Sequence, residues 1–108
     1  MEWESFQGDY TASFFQNDNY IVSTFDSNGN WKQSTLQLTE GQLPKKVRKC
    51  WKKKYKEVQF VTAIFEVQDA NLKPMYHLSF EADANLVNLV YNRRGRIKSK
   101  FSEPIQLD

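Results

Sequence analysis

The fold is decided by the stretch YTASFFQNDNYIVSTFDSNGNWKQ, residues 10–33, which recurs without a gap as YHLSFEADANLVNLVYNRRGRIKS, residues 76–99. Six of the 24 aligned positions are identical. Such an internal repeat predicts a duplicated meander of β-strands. The alternative is that two unrelated β-hairpins share aromatic residues and turn glycines. The identical pairs are Tyr10/Tyr76, Ser13/Ser79, Phe14/Phe80, Asn19/Asn85, Gly29/Gly95 and Lys32/Lys98.

Both copies alternate apolar and polar residues with the period of a strand. The turn sequences DSNG and NRRG each suit a three-residue hairpin closed by a left-handed glycine, which would pair Phe25 with Trp31 and Tyr91 with Ile97. Each copy also has a preceding strand, so the sequence predicts two four-stranded meanders. The eight predicted strands are residues 2–6, 10–14, 20–25, 31–38, 59–68, 76–80, 86–91 and 96–101.

One helix, at about residues 43–56, is predicted between the copies. Pro44 suits its first turn, and apolar residues recur at the spacing of one helix face. The predicted fold class is therefore α+β, an antiparallel sheet with one central helix packed on one face, in a single domain, residues 1–108. The apolar stripe comprises Leu43, Val47, Cys50, Trp51 and Tyr55.

Composition excludes several classes of protein. The chain has 108 residues, of which 40% are hydrophobic and 15% aromatic, so it is large enough for one core and is not a disordered segment. One cysteine and one histidine exclude a disulfide framework and a cysteine- or histidine-rich metal site. No glycine-rich phosphate loop is present, so no cofactor is expected, and no apolar run is long enough to span a membrane.

Positive charge is concentrated in two places. Residues 45–56 and 93–100 carry 13 of the 15 lysines and arginines, although the formal net charge is only +2. An anionic partner would therefore meet the molecule at those two stretches.

The turn and helix-start motifs resemble those of the PepSY-like family of small exported bacterial proteins, whose fold is similar to that of beta-lactamase inhibitory protein. The resemblance extends over about residues 3–100. It implies a periplasmic or secreted binding module without enzymatic activity, whose leader has been removed from the chain. Two features depart from the family pattern, the lysine-rich helix and the arginines at positions 93 and 94, and no contact motif of the inhibitory protein is found. The matching residues are Phe25, Asp26, Gly29, Trp31, Leu43, Pro44, Tyr91, Asn92 and Gly95.

Catalysis is not expected. Cys50 and His77 form the one candidate nucleophile and base, and such chemistry needs them within hydrogen-bond reach. Cys50 lies on the apolar stripe of the helix, where a small buried residue is the ordinary interpretation. His77 alternates with Tyr76 and Leu78 and is predicted to be a solvated strand residue on the other face.

The first candidate binding surface is the sheet face without the helix. If Tyr10, Phe14, Phe25 and Trp31 face the helix, alternation places large apolar residues on the opposite face, where a contiguous patch would bind a protein or peptide. Arginines in the second turn would steer an acidic partner. Self-association as a homodimer, or an incorrect assignment of faces, are the alternatives. The predicted partner-binding residues are Phe15, Tyr20, Val22, Leu86, Val90, Arg93, Arg94 and Arg96.

The second candidate surface is the basic face of the helix, which would make the chain a cytoplasmic polyanion-binding protein. Phosphates would contact its lysines while Trp51 or Tyr55 stacked on bases. A solvated helix face is the ordinary interpretation of such a run, and nucleic acid is the less favoured partner. The residues concerned are Lys45, Lys46, Arg48, Lys49, Lys52 and Lys53.

Overall fold

The computed structural model describes residues 1–58, 61–70 and 73–105. Its eight strands form one antiparallel sheet in which every strand pairs with its neighbours in chain order. The α+β class, the single sheet and the one helix are thereby confirmed. The elements are β1 (Glu2–Phe6), β2 (Asp9–Gln16), β3 (Asn19–Phe25), β4 (Trp31–Gln37), a 3₁₀ turn (Glu40–Gln42), α1 (Lys45–Lys54), β5 (Ala63–Asp69), β6 (Met75–Ala82), β7 (Asn85–Asn92) and β8 (Ile97–Pro104).

The predicted boundaries differ from the structure mainly at the fifth strand. This strand was expected over residues 59–68, but β5 begins at Ala63, and residues 59–60 lie outside the described part of the chain. The helix is also shorter than the predicted residues 43–56, because Pro44 is extended and acts as its N-cap and Tyr55 leaves the helical conformation as its C-cap.

The glycine turns after β3 and β7 have the same hydrogen bonds, 66 residues apart. The Asp26 carboxylate accepts the backbone N–H groups of Asn28 and Asn30, each at 2.9 Å. The Asn92 side-chain oxygen accepts those of the second and fourth residues after it, at 2.9 and 3.0 Å. The pairs Phe25–Trp31 and Tyr91–Ile97 form as predicted, each beside a β-bulge. Whether the two copies arose by duplication stays a prediction.

The β2–β3 and β6–β7 turns also match each other at this offset. Asn17 and Asp18 have φ angles of 52° and 66°, and Asp83 and Ala84 have φ angles of 52° and 64°. Two consecutive left-handed residues define the type I′ turn, whose twist matches that of the strands it joins.

The core lies between α1 and strands β5–β7. Leu43, Val47 and Trp51 of the predicted stripe are buried. Cys50, expected to be buried with them, is exposed. It lies at the edge of the stripe, where the β7–β8 turn approaches the helix. The sheet residues of this core are Ile64, Tyr76, Leu78, Phe80, Val87, Leu89 and Tyr91.

The helix covers only one half of its sheet face. We call β1–β4 the first half, β5–β8 the second half, the face that carries α1 the helix-side face, and the opposite one the helix-free face. Tyr10, Phe14, Phe25 and Trp31 do lie on the helix-side face, as their pairing shows. They belong to the first half, however, and are not part of the core beneath α1. The condition that they lie on the helix side of the sheet therefore holds, although they are outside the core that α1 covers.

Candidate binding surfaces of the sheet

Phe15 and Tyr20 form an exposed aromatic pair on the helix-free face. They lie opposite each other in the β2–β3 hairpin, with ring centroids 5.1 Å apart. Phe15 is 74% exposed and Tyr20 36% exposed. Both residues thus have the orientation that alternation predicted.

Leu86 and Val90 lie on the same face but in the other half of the sheet. Both are half-buried residues of β7. Three strands separate β7 from β3, which carries Tyr20 and Val22. Four strand spacings amount to roughly 19 Å. The predicted residues therefore form two groups and not one contiguous patch, so that part of the prediction was wrong.

Residues of β5 and β6 connect the two groups. Gln37 pairs with Phe65, Phe65 with His77, and His77 with Val90. Continuing the β3–β4 register places Tyr20 beside Gln37 at the start of this row. A line of mostly apolar groups thus crosses the helix-free face from one hairpin to the other.

A second, parallel row contains the remaining predicted apolar residue. Val22 pairs with Thr35, Thr35 with Val67, and Val67 with Met75. All four side chains are half-buried. The sequence analysis did not include Phe65, Val67 or Met75 in the site. Assigning Ile64 and Leu78 to the core would have placed all three on the opposite face by alternation.

Arg93, Arg94 and Arg96 are exposed in the β7–β8 turn. They lie at the end of β7 that is nearer Val90, whereas Leu86 is at the other end beside Glu81 and Glu103. The arginines could therefore steer a partner toward one end of the apolar rows only.

His77 lies between two apolar neighbours, Phe65 and Val90. Burial lowers its pKa below the usual value, because the charged imidazolium loses hydration there. It is half-buried, whereas the sequence predicted a solvated residue. Cys50 lies on the helix side of the sheet, so the layer of strands separates the two groups. Among the described residues, no group of three or more His, Cys, Asp or Glu side chains could hold a metal ion.

The basic face of α1 points to solvent as predicted. All six predicted polyanion-binding residues are exposed except Arg48, which is half-buried. The Nζ atom of Lys52 lies 3.9 Å from Oε2 of Glu40. The two aromatic residues proposed to stack on bases pack against the core, however. Trp51 is buried and stacks on Phe80, and the Tyr55 ring packs 4.9 Å from the same ring. Trp51 is therefore a core residue, as its place in the apolar stripe predicted, and cannot stack on a base.

No protein-family model matches the chain, and no curated protein matches its sequence. Solved structures do resemble it. A BLIP-like protein from Bacteroides fragilis has a TM-score of 0.86 at 19% identity, over 99% of this chain and 77% of that chain. A DUF2874 family protein from Bacteroides ovatus has a TM-score of 0.84 at 18% identity, over 94% of this chain and 74% of that one.

A third similar structure is that of a Bacteroides eggerthii protein described as periplasmic. Its TM-score is 0.83 at 14% identity, over 94% of this chain and 75% of that chain. At these identities the likeness shows the fold alone, which is the BLIP-like fold that the sequence motifs implied. No helix in the described ranges is both long and apolar enough to cross a membrane.

Proposed function

We propose that this chain is a non-catalytic binding module of the bacterial periplasm or cell envelope, and that it recognises a protein or peptide through the helix-free face. The observation that carries the proposal is the exposed Phe15–Tyr20 pair, together with the mostly apolar row that runs from it to Val90. Large apolar side chains on a sheet face with no covering layer among the described residues are typical of an interface.

The comparisons support the cellular compartment and the type of module. One similar structure is described as periplasmic and another is BLIP-like, a name that refers to an inhibitory protein. Inhibition of that kind works by binding a protein and needs no catalytic residues in the inhibitor. Assignment to the PepSY-like family remains part of the proposal and rests on the motifs at residues 25–31, 43–44 and 91–95.

The binding mechanism would be burial of two aromatic anchors and the row beside them. Phe15 and Tyr20 protrude most, so they would contribute most of the binding free energy, as exposed aromatic anchors commonly do. Val22, Leu86 and Val90 would add apolar area. Arg93, Arg94 and Arg96 would accelerate association with an acidic partner more than they would tighten it.

Site-specific photo-crosslinking tests this function. A photoreactive phenylalanine analogue is placed at position 15, 90 or 52 in separate variants, and each is exposed to an envelope extract of the source bacterium. We expect the same product from positions 15 and 90 and none from position 52. The cross-linked protein is identified by mass spectrometry and purified.

Binding of that purified protein is then compared among the wild type, F15S/Y20S and K52Q/K53Q. We expect the first variant to bind at least tenfold more weakly and the second to bind as the wild type does at 200 mM salt. Capture from position 52 alone, with affinity that falls steeply between roughly 50 and 200 mM salt, would instead support the polyanion function. If both variants bound the purified protein as tightly as the wild type does, the proposal would be contradicted.

A further inference from the structure

Strand β8 forms one edge of the sheet and is exposed over its whole length. It pairs with β7 on one side, and among the described residues no strand lies on its other side. All eight of its residues, Ile97–Pro104, are exposed. The other edge strand, β1, has only five residues. β8 is therefore the longer of the two open edges.

The backbone of β8 offers hydrogen bonds outward at Lys100 and Ser102. The Ile105 N–H donates a hydrogen bond of 3.1 Å to the Ala84 carbonyl, and the register continues from this pair along β7 and β8. Hydrogen-bonded and non-hydrogen-bonded pairs alternate along an antiparallel ladder. Phe101 is therefore bonded to β7, whereas Lys100 and Ser102 direct their N–H and C=O groups away from it.

The side chains of β8 are basic on one face and aromatic on the other. Lys100 pairs with Leu89 of the core and lies on the helix-side face, where its Nζ atom is 5.6 Å from the centre of the Tyr55 ring. The Nζ atom of Lys54, the last residue of α1, is 5.8 Å from the same ring. Phe101 lies on the helix-free face by alternation and is 54% exposed. A strand added here would meet positive charge on one face and an aromatic ring on the other.

No acidic residue balances the charge at the beginning of this edge. Residues 93–100 contain three arginines and two lysines and no aspartate or glutamate. The ion pairs found among the described residues do not include Lys98 or Lys100. An acidic strand would therefore form favourable cross-strand charge pairs here.

A second copy of the chain fits this edge poorly. Antiparallel pairing of β8 with its own copy would place the lysines of both copies on the same face, and like charges on adjacent strands are destabilising. Glu2 and Glu4 of β1 pair with Ser13 and Thr11 and lie on the helix-free face. Antiparallel pairing with β1 of a second copy would therefore not place these glutamates opposite Lys100.

We propose that β8 is the docking site for an extended acidic segment of a partner protein, which adds to the sheet as a further antiparallel strand. Its acidic side chains alternate with apolar ones, so that the acids face Lys100 and the apolar side chains pack on Phe101. Hydrogen bonds to the backbone of Lys100 and Ser102 supply affinity, and the alternation supplies specificity. This surface is separate from the helix-free face and can be tested independently of it.

The probe is a synthetic peptide, as long as β8, that alternates glutamate with valine. It is titrated into the 108-residue chain and followed by two-dimensional NMR at roughly 150 mM salt, where exposed charges are screened beyond about 8 Å. We expect saturable binding, with amide shifts concentrated in β7 and β8 and absent from β1. The N–H groups of Lys100 and Ser102 should exchange with solvent at least tenfold more slowly in the complex, because they become hydrogen-bonded. The Phe101 N–H, already bonded to β7, should change less.

Two N-methylated forms of the peptide test the hydrogen bonds without altering the protein. In an antiparallel addition the glutamates share a face with Lys100 and direct their backbone groups toward β8, whereas the valines direct theirs away. We expect methylation of the glutamate nitrogens to weaken binding at least tenfold, and methylation of the valine nitrogens to leave it within threefold. Loss with methylated valine alone would mean a parallel strand, and no loss with either form would exclude strand addition. Both outcomes would overturn the proposal.

Variants of the chain test the side chains and the edge itself. K98Q/K100Q should bind the peptide at least tenfold more weakly, whereas K52Q/K53Q, which removes the same charge from α1, should bind within twofold of the wild type. S102P removes one outward N–H and no bond to β7, so it should also bind at least tenfold more weakly. If S102P does not fold, the methylated peptides test the same hydrogen bonds. Binding by K98Q/K100Q as tight as that of the wild type would overturn the proposal.

The remaining controls separate strand addition from charge attraction, from the helix-free face and from self-association. A peptide of the same composition with all glutamates before the valines should bind at least tenfold more weakly, and F15S/Y20S should bind the alternating peptide within twofold of the wild type. Equal binding of the two peptides, or loss of binding in F15S/Y20S, would overturn the proposal. A concentration-dependent dimer that S102P abolishes would mean that a second copy occupies the edge, and the acidic partner would be wrong.

Discussion

The two halves of the sheet share their turns but differ in what lies on the helix-side face. In the second half α1 buries the rings of Tyr76 and Phe80. In the first half Tyr10, the counterpart of Tyr76, is nearly half exposed. Strand patterning and turn chemistry are thus alike in the two halves, whereas a helix covers the helix-side face in only one of them.

This difference indicates which part of the chain contributes most to its stability. Apolar burial is the main favourable term in folding, and most of the fully buried side chains lie between α1 and strands β5–β7. The first half exposes the Phe15–Tyr20 pair on one face and the rings of Trp3, Tyr10 and Trp31 on the other. Equivalent substitutions in the two halves should therefore have unequal effects.

The largest expected difference is between Phe80→Ala and Phe14→Ala. Phe80 is fully buried against Trp51 and Tyr55, so its removal should cost about 3–5 kcal/mol of unfolding free energy. Phe14 is half-buried and should cost about 1–1.5 kcal/mol. Urea denaturation of both variants measures the two values. Equal losses would show that the first half contributes as much packing as the second.

A smaller difference is expected between Gly95→Ala and Gly29→Ala. Both place an alanine at positive φ, which costs about 1–2 kcal/mol. At position 95 the new methyl group also collides with the Lys46 carbonyl, so α1 must shift, and we expect a total of about 3 kcal/mol. Thermal unfolding of the two variants compares them directly. If Gly29→Ala were the more damaging, the space over the first turn would not be open.

The sequence predicts local geometry well because local geometry depends on local residues. Asp26 and Asn92 specify their turns by accepting backbone N–H groups within four residues, and the pairing of Phe25 with Trp31 follows from the turn. The α+β class and the helix stripe follow from periodicity in the same way. The burial of Leu43, Val47 and Trp51 on the inner side of the helix was also predicted from that stripe.

What the sequence could not show is which strands the single helix covers. Tyr10 and Tyr76 occupy equivalent positions of the repeat, and the sequence around each residue does not indicate which of the two lies under α1. The chain order places α1 between the halves, and it turns toward the strands that follow it. For this reason the sequence did not show that Tyr10 and Trp31 lie on the helix side but outside the core beneath α1. The predicted contiguity of the helix-free patch was wrong because strand order separates β3 from β7.

The smallest changes in unfolding free energy are expected for substitutions in the two type I′ turns. Ala84 has a φ angle of 64°, a left-handed conformation in which the alanine Cβ atom crowds the backbone. Its counterpart Asp18 has a φ angle of 66°, but aspartate tolerates this conformation. Ala84→Gly removes the crowding but adds backbone entropy to the unfolded chain, so we expect a net gain of about 0.5–1 kcal/mol. Asp18→Gly should change the unfolding free energy by less than about 0.5 kcal/mol. Urea denaturation of both variants measures the difference, provided that the slope of unfolding free energy against urea concentration is the same in the two. A gain from Asp18→Gly as large as that from Ala84→Gly would mean that the two turns store the same strain, and that the halves differ only in what covers them.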